Sequence, residues 1–172
     1  KAFPPISLTG YSCELNCQHC GGYYLQHMIP IQTPSELVKT CSILYRQGVR
    51  GVLLSGGSRK DGTVPLDCFL DAIKTVKKDF GMFIEAHTGP ISKETSRLLV
   101  EAGLDAFLPD VVGDVETTKK VYGLKITPKK YELMLAGMKE AGMKNISPHI
   151  CVGLNFGGLK GEVKALQIAS KF

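Results

Sequence analysis

The chain has 172 residues, 44% hydrophobic and 22% charged, with a formal net charge of +5. That length and balance fit one globular domain with a real core and exclude a disordered chain. The lysine pairs Lys77/Lys78, Lys119/Lys120 and Lys129/Lys130 fall in three separate helical stretches. No basic stripe is interleaved with aromatic residues, so a nucleic-acid partner is not expected, and no apolar run suggests a membrane partner. The mildly basic surface would favour acidic partners.

Short β-rich runs alternate with amphipathic helical runs, the pattern of βα units around a parallel sheet. The first strand is expected near Pro5 to Tyr11, leading directly into the run YSCELNCQHCGG. Thr33, Pro34 and Glu36 announce a helix: Thr at the N-cap, Pro at the first helical position and Glu at the third form a capping box. That helix closes near Gly48, and a second strand runs from Gly51 to Ser55. Pro65 opens a helix closed near Gly81, before a third strand from Met82 to His87. Ser92 opens another, closed near Gly103, before a fourth strand from Asp105 to Pro109. A small helical insert spans Asp114 to Tyr122. Thr127 and Pro128 then open a helix closed near Gly142, ahead of a fifth strand from Ile146 to Gly153 and a last helix from Gly161. Each closing glycine suits the left-handed position at which helices end.

Cys13, Cys17 and Cys20 stand in C-x3-C-x2-C spacing. An iron–sulfur cube is usually held by four thiolates, so a loop offering three leaves one iron open to an outside ligand. The competing reading is a zinc site of Cys3His type. His27 has the freedom to complete one, whereas His19, between Cys17 and Cys20, would have difficulty turning back onto the same ion. Zinc motifs more commonly come as two separated pairs. Uneven cysteine spacing and the lack of a visible leader argue against disulfides, and the expected setting is reducing and cytoplasmic.

The cysteine loop resembles the signature of the radical S-adenosylmethionine (SAM) superfamily. The resemblance implies a [4Fe–4S] cluster on the three cysteines and SAM chelated to the open iron. An electron from the cluster would cleave SAM to a 5′-deoxyadenosyl radical that takes hydrogen from unactivated carbon. The implied fold is α/β, a partial (βα)6 TIM-like barrel. About five βα units are read here and the sixth is missing. Residues 1–172 are therefore expected to be one radical SAM core domain truncated at its C-terminus, its fifth strand covered by further residues or by a partner chain.

Other residues match this family at the carboxyl ends of strands, where such folds bind ligands. Ser55, Gly56, Gly57 and Ser58 resemble the GGE-type motif that holds the amino group of SAM, with Ser58 where glutamate is common. Val152, Gly153, Leu154 and Asn155 resemble the G-x-I-x-G motif that lines adenine. Asp110 is placed to meet a ribose hydroxyl or, equally, to cap the following insert. His19 takes the place of an aromatic residue packed near adenine, or lies in solvent.

Strand alternation points to a substrate chamber. Phe83, Glu85 and His87 would face the barrel interior, with Ile84 and Ala86 toward the helices. Ser147, His149 and Cys151 would face inward, with Ile146, Ile150 and Val152 outward. Glu85, His87 and His149 are the candidate substrate-aligning residues, a hydrogen-bonded Glu85–histidine pair being the alternative. Cys41 and Cys68 read as core residues.

Within the superfamily the runs ISLTG, EAHTG and VGLN, with Gly161-Glu162, resemble the biotin synthase and lipoyl synthase group. They resemble above all the biotin-synthase-like proteins related to one subunit of the two-component archaeal-type lipoyl synthase. That resemblance implies sulfur insertion into an octanoyl chain on a lipoyl carrier domain. It also implies an electron donor such as ferredoxin, and a second radical SAM subunit as partner. An auxiliary iron–sulfur cluster would have to come from outside this segment, because Ser147 stands where biotin synthase has a cluster cysteine. C-methylation and rearrangement in cofactor assembly are the other radical reactions open to such a chain.

Overall fold

The computed structural model describes residues 3–172. Six strands form one sheet: β1 (Pro5–Ser7), β2 (Ile29–Pro30), β3 (Gly51–Ser55), β4 (Phe83–Ala86), β5 (Ala106–Phe107) and β6 (Asn145–Ile146). All neighbouring pairs are parallel, in the order β2-β1-β3-β4-β5-β6. The helices are α1 (Pro34–Arg46), α2 (Leu70–Phe80), α3 (Lys93–Glu101), α4 (Val115–Thr117), α5 (Pro128–Glu140) and α6 (Glu162–Ala169). Apart from the two-residue β2, which lies on the other side of β1, the strands β1, β3, β4, β5 and β6 follow one another in chain order on one side, as staves do in a barrel wall. The sheet is open, which is the partial barrel the sequence predicts.

Five strands correspond to those expected. The sixth, β2, is a two-residue edge strand against β1, too short to leave a periodic signal. The first strand is shorter than Pro5 to Tyr11: the Ser7 hydroxyl donates to the Gly10 carbonyl (2.6 Å) and turns the chain after three residues. The fifth is also shorter than Ile146 to Gly153. Ladder bonds continue from Ser147 N–H to the Phe107 carbonyl and from His149 N–H to the Pro109 carbonyl, and then residues 151–158 turn. Val152, expected to pack outward on helices, is 73% exposed.

Helix starts follow local chemistry. Thr33 Oγ1 accepts from Glu36 N–H and the Glu36 carboxylate accepts from Thr33 N–H, a complete capping box. Ser92 likewise caps α3 through Thr95 N–H, whereas Thr127 precedes α5 without a side-chain cap. Pro65 leads into a 3-10 turn, Leu66–Phe69, and α2 starts only at Leu70. That displaces Cys68 from the core: it is exposed and takes an Arg59 N–H (3.2 Å), while Cys41 on α1 is fully buried as expected.

The helix-facing side of the sheet supplies the core: Leu54, Ala86 and Phe107 lie in register across β3, β4 and β5, all 0% exposed. Leu37, Ile73, Leu99 and Leu135 cover them from the helices. Phe83 and Glu85 occupy the opposite, half-open face, as alternation predicts. At the amino-terminal end, Lys77 reaches from α2 to Asp105 (2.7 Å), whose carboxylate also accepts Ile84 N–H (2.7 Å), fastening helix to sheet away from the mouth.

Phe107→Ala removes the largest fully buried side chain and is expected to cost about 3–5 kcal/mol. Thr33→Ala, which removes only the cap, is expected to cost about 1 kcal/mol. Urea unfolding midpoints check the ranking.

Candidate cluster and cofactor site

Because every strand is parallel, the segments leaving β1, β3, β4, β5 and β6 meet at one end. The cysteine loop leaves β1 and the Gly56-Gly57 turn leaves β3. His87 follows β4, Asp110 follows β5 and His149 follows β6.

The first two segments are joined closely. Gly57 N–H donates to Thr9 Oγ1 (2.7 Å), and Thr9 Oγ1–H donates to the Ser12 carbonyl (2.8 Å). Glu14 N–H donates to the Ser58 carbonyl (2.9 Å), and Lys60 N–H donates to the Glu14 carboxylate (2.9 Å). Ser58 N–H points at Cys13 Sγ (3.3 Å). A Cβ on Gly57 would stand 1.9 Å from the Ser12 carbonyl oxygen and 2.7 Å from Cys13 Cα. The space Gly57 leaves open is thus filled by the cysteine loop itself, not by a ligand. An open cleft of about 550 Å³ lies beside this junction, walled by Ser12, Glu14, Gly57, Ser58 and Lys60 among others. None of Cys17, Cys20, His87, Asp110 or His149 lines it.

Cys17 is buried, whereas Cys13 and Cys20 are half-buried. Burial, reinforced by the neighbouring Cys20 and Cys13 thiols, pushes the Cys17 thiol up to about 11. A buried thiol of this kind ionises with difficulty unless a cationic centre compensates, so its chemistry fits a metal cluster. Among the described residues the three thiols do not form a group with all ligand atoms within 4.8 Å of one another. Tetrahedral zinc, with Zn–S bonds of about 2.3 Å, needs sulfurs closer than that. His27 turns to Tyr23 (ring centroids 4.9 Å apart).

The far side of the loop rests on the insert. Gln18 N–H donates to the Val121 carbonyl (3.0 Å), and the His19 ring meets Tyr122 edge-on at 5.1 Å. Burial lowers the His19 pKa, partly offset by Asp110. The residue nonetheless stays exposed to solvent, with Tyr122 against one edge of its ring.

Across the mouth, Asp110 and His149 form a parallel bridge between the chain segments after β5 and β6. His87 Nδ1 lies 3.8 Å from Asp110 Oδ2, and the His87 and His149 rings are 4.9 Å apart. Burial lowers the His87 pKa, opposed by Asp110 and aided by His149. The insert is capped by Asp114, which accepts Thr117 N–H (2.7 Å), so Asp110 is released from the capping role. Glu85 is half-buried and, among the described residues, hydrogen-bonds to no histidine. Cys151 and Ser147 are exposed. Gly153 N–H is taken by the Glu162 carboxylate (3.0 Å), and Asn155 pairs with Gly158 in a tight bridge.

A family model described as the Radical SAM superfamily matches residues 7–163. The chain belongs to this superfamily. Membership implies the [4Fe–4S] cluster and SAM, and the cysteine loop is where the cluster would be held.

The fold of this radical SAM domain is similar to solved structures. The [FeFe]-hydrogenase maturase HydG from Carboxydothermus hydrogenoformans is 18% identical with a TM-score of 0.71, over 98% of this chain and 40% of that one. Methylornithine synthase (PylB) is 18% identical with a TM-score of 0.66, over 98% and 48%. Streptococcus suis SuiB, bound to its precursor peptide SuiA, is 17% identical with a TM-score of 0.61, over 99% and 36%. The chain thus spans less than half the length of each of these structures. No curated protein matches the sequence. Among the described residues, no helix is long and apolar enough to cross a membrane.

Sequence reasoning missed Thr9, Glu14 and Tyr122. The partners of Thr9 and Glu14 lie 48 and 46 residues away, beyond any local pattern, and only the proximity of Thr9 to Cys13 could have drawn notice.

Gly57→Ala is expected to displace the cysteine loop, lowering iron incorporation severalfold while far-ultraviolet dichroism stays unchanged. In the metal-free chain the high Cys17 pKa predicts slow alkylation at pH 8 that accelerates toward pH 11. Quantitative peptide mass spectrometry with iodoacetamide reads this site by site.

Proposed function

We propose that this domain carries out reductive cleavage of SAM and abstracts hydrogen from a substrate carbon. The observation that carries the reading is the three-thiol loop at the mouth of a parallel partial barrel, bound to the β3 turn through Ser58 N–H and Cys13 Sγ. Cys13, Cys17 and Cys20 would hold a [4Fe–4S] cluster; bound there with SAM, it supplies the electron that generates the 5′-deoxyadenosyl radical. Ser58 N–H, directed at one sulfur, tunes the electron density of that thiolate. Burial of Cys17 keeps water from its side of the loop. Ser55, Gly56, Gly57 and Ser58 are the proposed SAM contacts from β3, joined by Gly153, Asn155, His19 and Asp110. The Ser58 backbone is already engaged by the cysteine loop, its N–H with Cys13 Sγ and its carbonyl with Glu14 N–H, so its contact with SAM would come from the side-chain hydroxyl. Glu85, His87 and His149 are the proposed substrate-aligning side chains.

For the reaction class we propose sulfur insertion of the lipoyl or biotin type. Support comes from the ISLTG, EAHTG and VGLN runs. An electron donor such as ferredoxin, a second radical SAM subunit and a lipoyl carrier domain would be its partners.

Anaerobic reconstitution with iron and sulfide, then electron paramagnetic resonance of the reduced protein, tests the first reading. A [4Fe–4S]⁺ signal that shifts on adding SAM is expected, with 5′-deoxyadenosine formation abolished in Cys17→Ala. A silent, zinc-only protein, or full deoxyadenosine yield from Cys17→Ala, overturns it. Feeding an octanoyl carrier with sulfide tests the finer reading; deoxyadenosine without sulfur transfer moves the chain to another radical reaction.

A further inference from the structure

His87, Asp110 and His149 form the one group of histidine, cysteine or acidic side chains, among the described residues, whose ligand atoms all lie within 4.8 Å of one another. They come from three successive staves of the barrel wall, with Asp110 and His149 in register. Their backbones are fixed independently of any ligand: His87 N–H donates to the Leu54 carbonyl (3.0 Å), His149 N–H to the Pro109 carbonyl (2.8 Å) and Val111 N–H to the His149 carbonyl (2.9 Å). The side chains, by contrast, converge without bonding. The separation of 3.8 Å between His87 Nδ1 and Asp110 Oδ2 exceeds a hydrogen bond, and none of the three side chains hydrogen-bonds elsewhere among the described residues.

We infer that His87, Asp110 and His149 bind a single divalent first-row metal ion, separate from the cluster on the cysteine loop. Metal bonds of about 2.1 Å place neighbouring donors roughly 3.0–3.4 Å apart, which a small side-chain rotation reaches from the observed 3.8 Å. Two imidazoles and one carboxylate suit iron(II), zinc, manganese or cobalt, and the absence of a thiol from the set disfavours copper(I). The Asp110 side chain is 61% exposed and that of His87 25%, so the unfilled coordination positions face the open mouth. They take an anionic donor on the substrate, such as a carboxylate or thiolate, and so anchor it beside the cysteine loop. The anchoring role rests on the proposed substrate chamber; the metal site itself does not.

Cobalt(II) is the probe. In the chain carrying Cys13→Ala, Cys17→Ala and Cys20→Ala, ligand-field absorption should saturate at about one ion per chain. Adding His87→Ala or His149→Ala should weaken that binding roughly tenfold or more. No saturable band up to millimolar cobalt, or a titration indifferent to both histidine variants, overturns the site. The cluster-reconstituted natural chain offers an independent reading if the triple variant fails to fold. After exposure to zinc and desalting it should retain about one zinc that His149→Ala loses, with iron content preserved in both. Equal zinc in the two proteins would overturn the proposal. Failure of the natural chain to take up a cluster on reconstitution, with cobalt binding intact in the triple variant, would count against the radical reading and leave the metal site standing.

Discussion

The contact between Gly57 and the Ser12–Cys13 backbone sets the rest of the site. A parallel sheet delivers two loops to the same mouth but does not decide how far apart they sit. Here the missing Cβ decides it, because any side chain at Gly57 would overlap the Ser12 carbonyl. With the turn against the loop, Thr9 bridges both backbones, Glu14 reaches Lys60 N–H and Ser58 N–H meets the first sulfur. The cysteine loop is thereby held by β1 and β3 together, while Tyr122 and Val121 support it from the opposite flank. Rigid placement by packed neighbours is what a reactive centre needs, since loosely held loops lose geometry before they lose chemistry.

Much of this was legible because it was local. Capping at Thr33 and Ser92, the alternation of Ile84 and Ala86 with Phe83 and Glu85, and the positive φ of Gly48, Gly81, Gly103 and Gly142 all follow from nearest neighbours along the chain. The cysteine spacing was legible for the same reason. What escaped depends on distant partners. Apolar content in ICVGL suggested a strand through Gly153, yet only Leu154 of its later residues is buried and the ladder stops after His149. Asp110 and Asp114 are both plausible caps by sequence, and only the positions of Thr117 and His87 distinguish them. Resemblance to a SAM-binding turn says nothing of what fills the space beside Gly57, which the Ser12 carbonyl takes.

Asp110 acts on both sides of the mouth. Its field reaches His19 and Tyr122 by the cysteine loop and Tyr131 and His87 by the chamber. A single carboxylate thus couples the two halves of the site electrostatically.

The unpaired side of β6 carries a further consequence. His149 belongs to the last hydrogen-bonded segment of the sheet, and Val152, Phe156, Leu159, Val163 and Leu166 are exposed just beyond it. A strand laid on that edge would stand about 4.8 Å away, close enough for its side chains to touch the His149 imidazole. A polypeptide supplying such a strand would thereby form a wall beside His149. Two assemblies sharing these residues but differing in that one strand would enclose differently shaped and differently charged volumes, and so select different molecules.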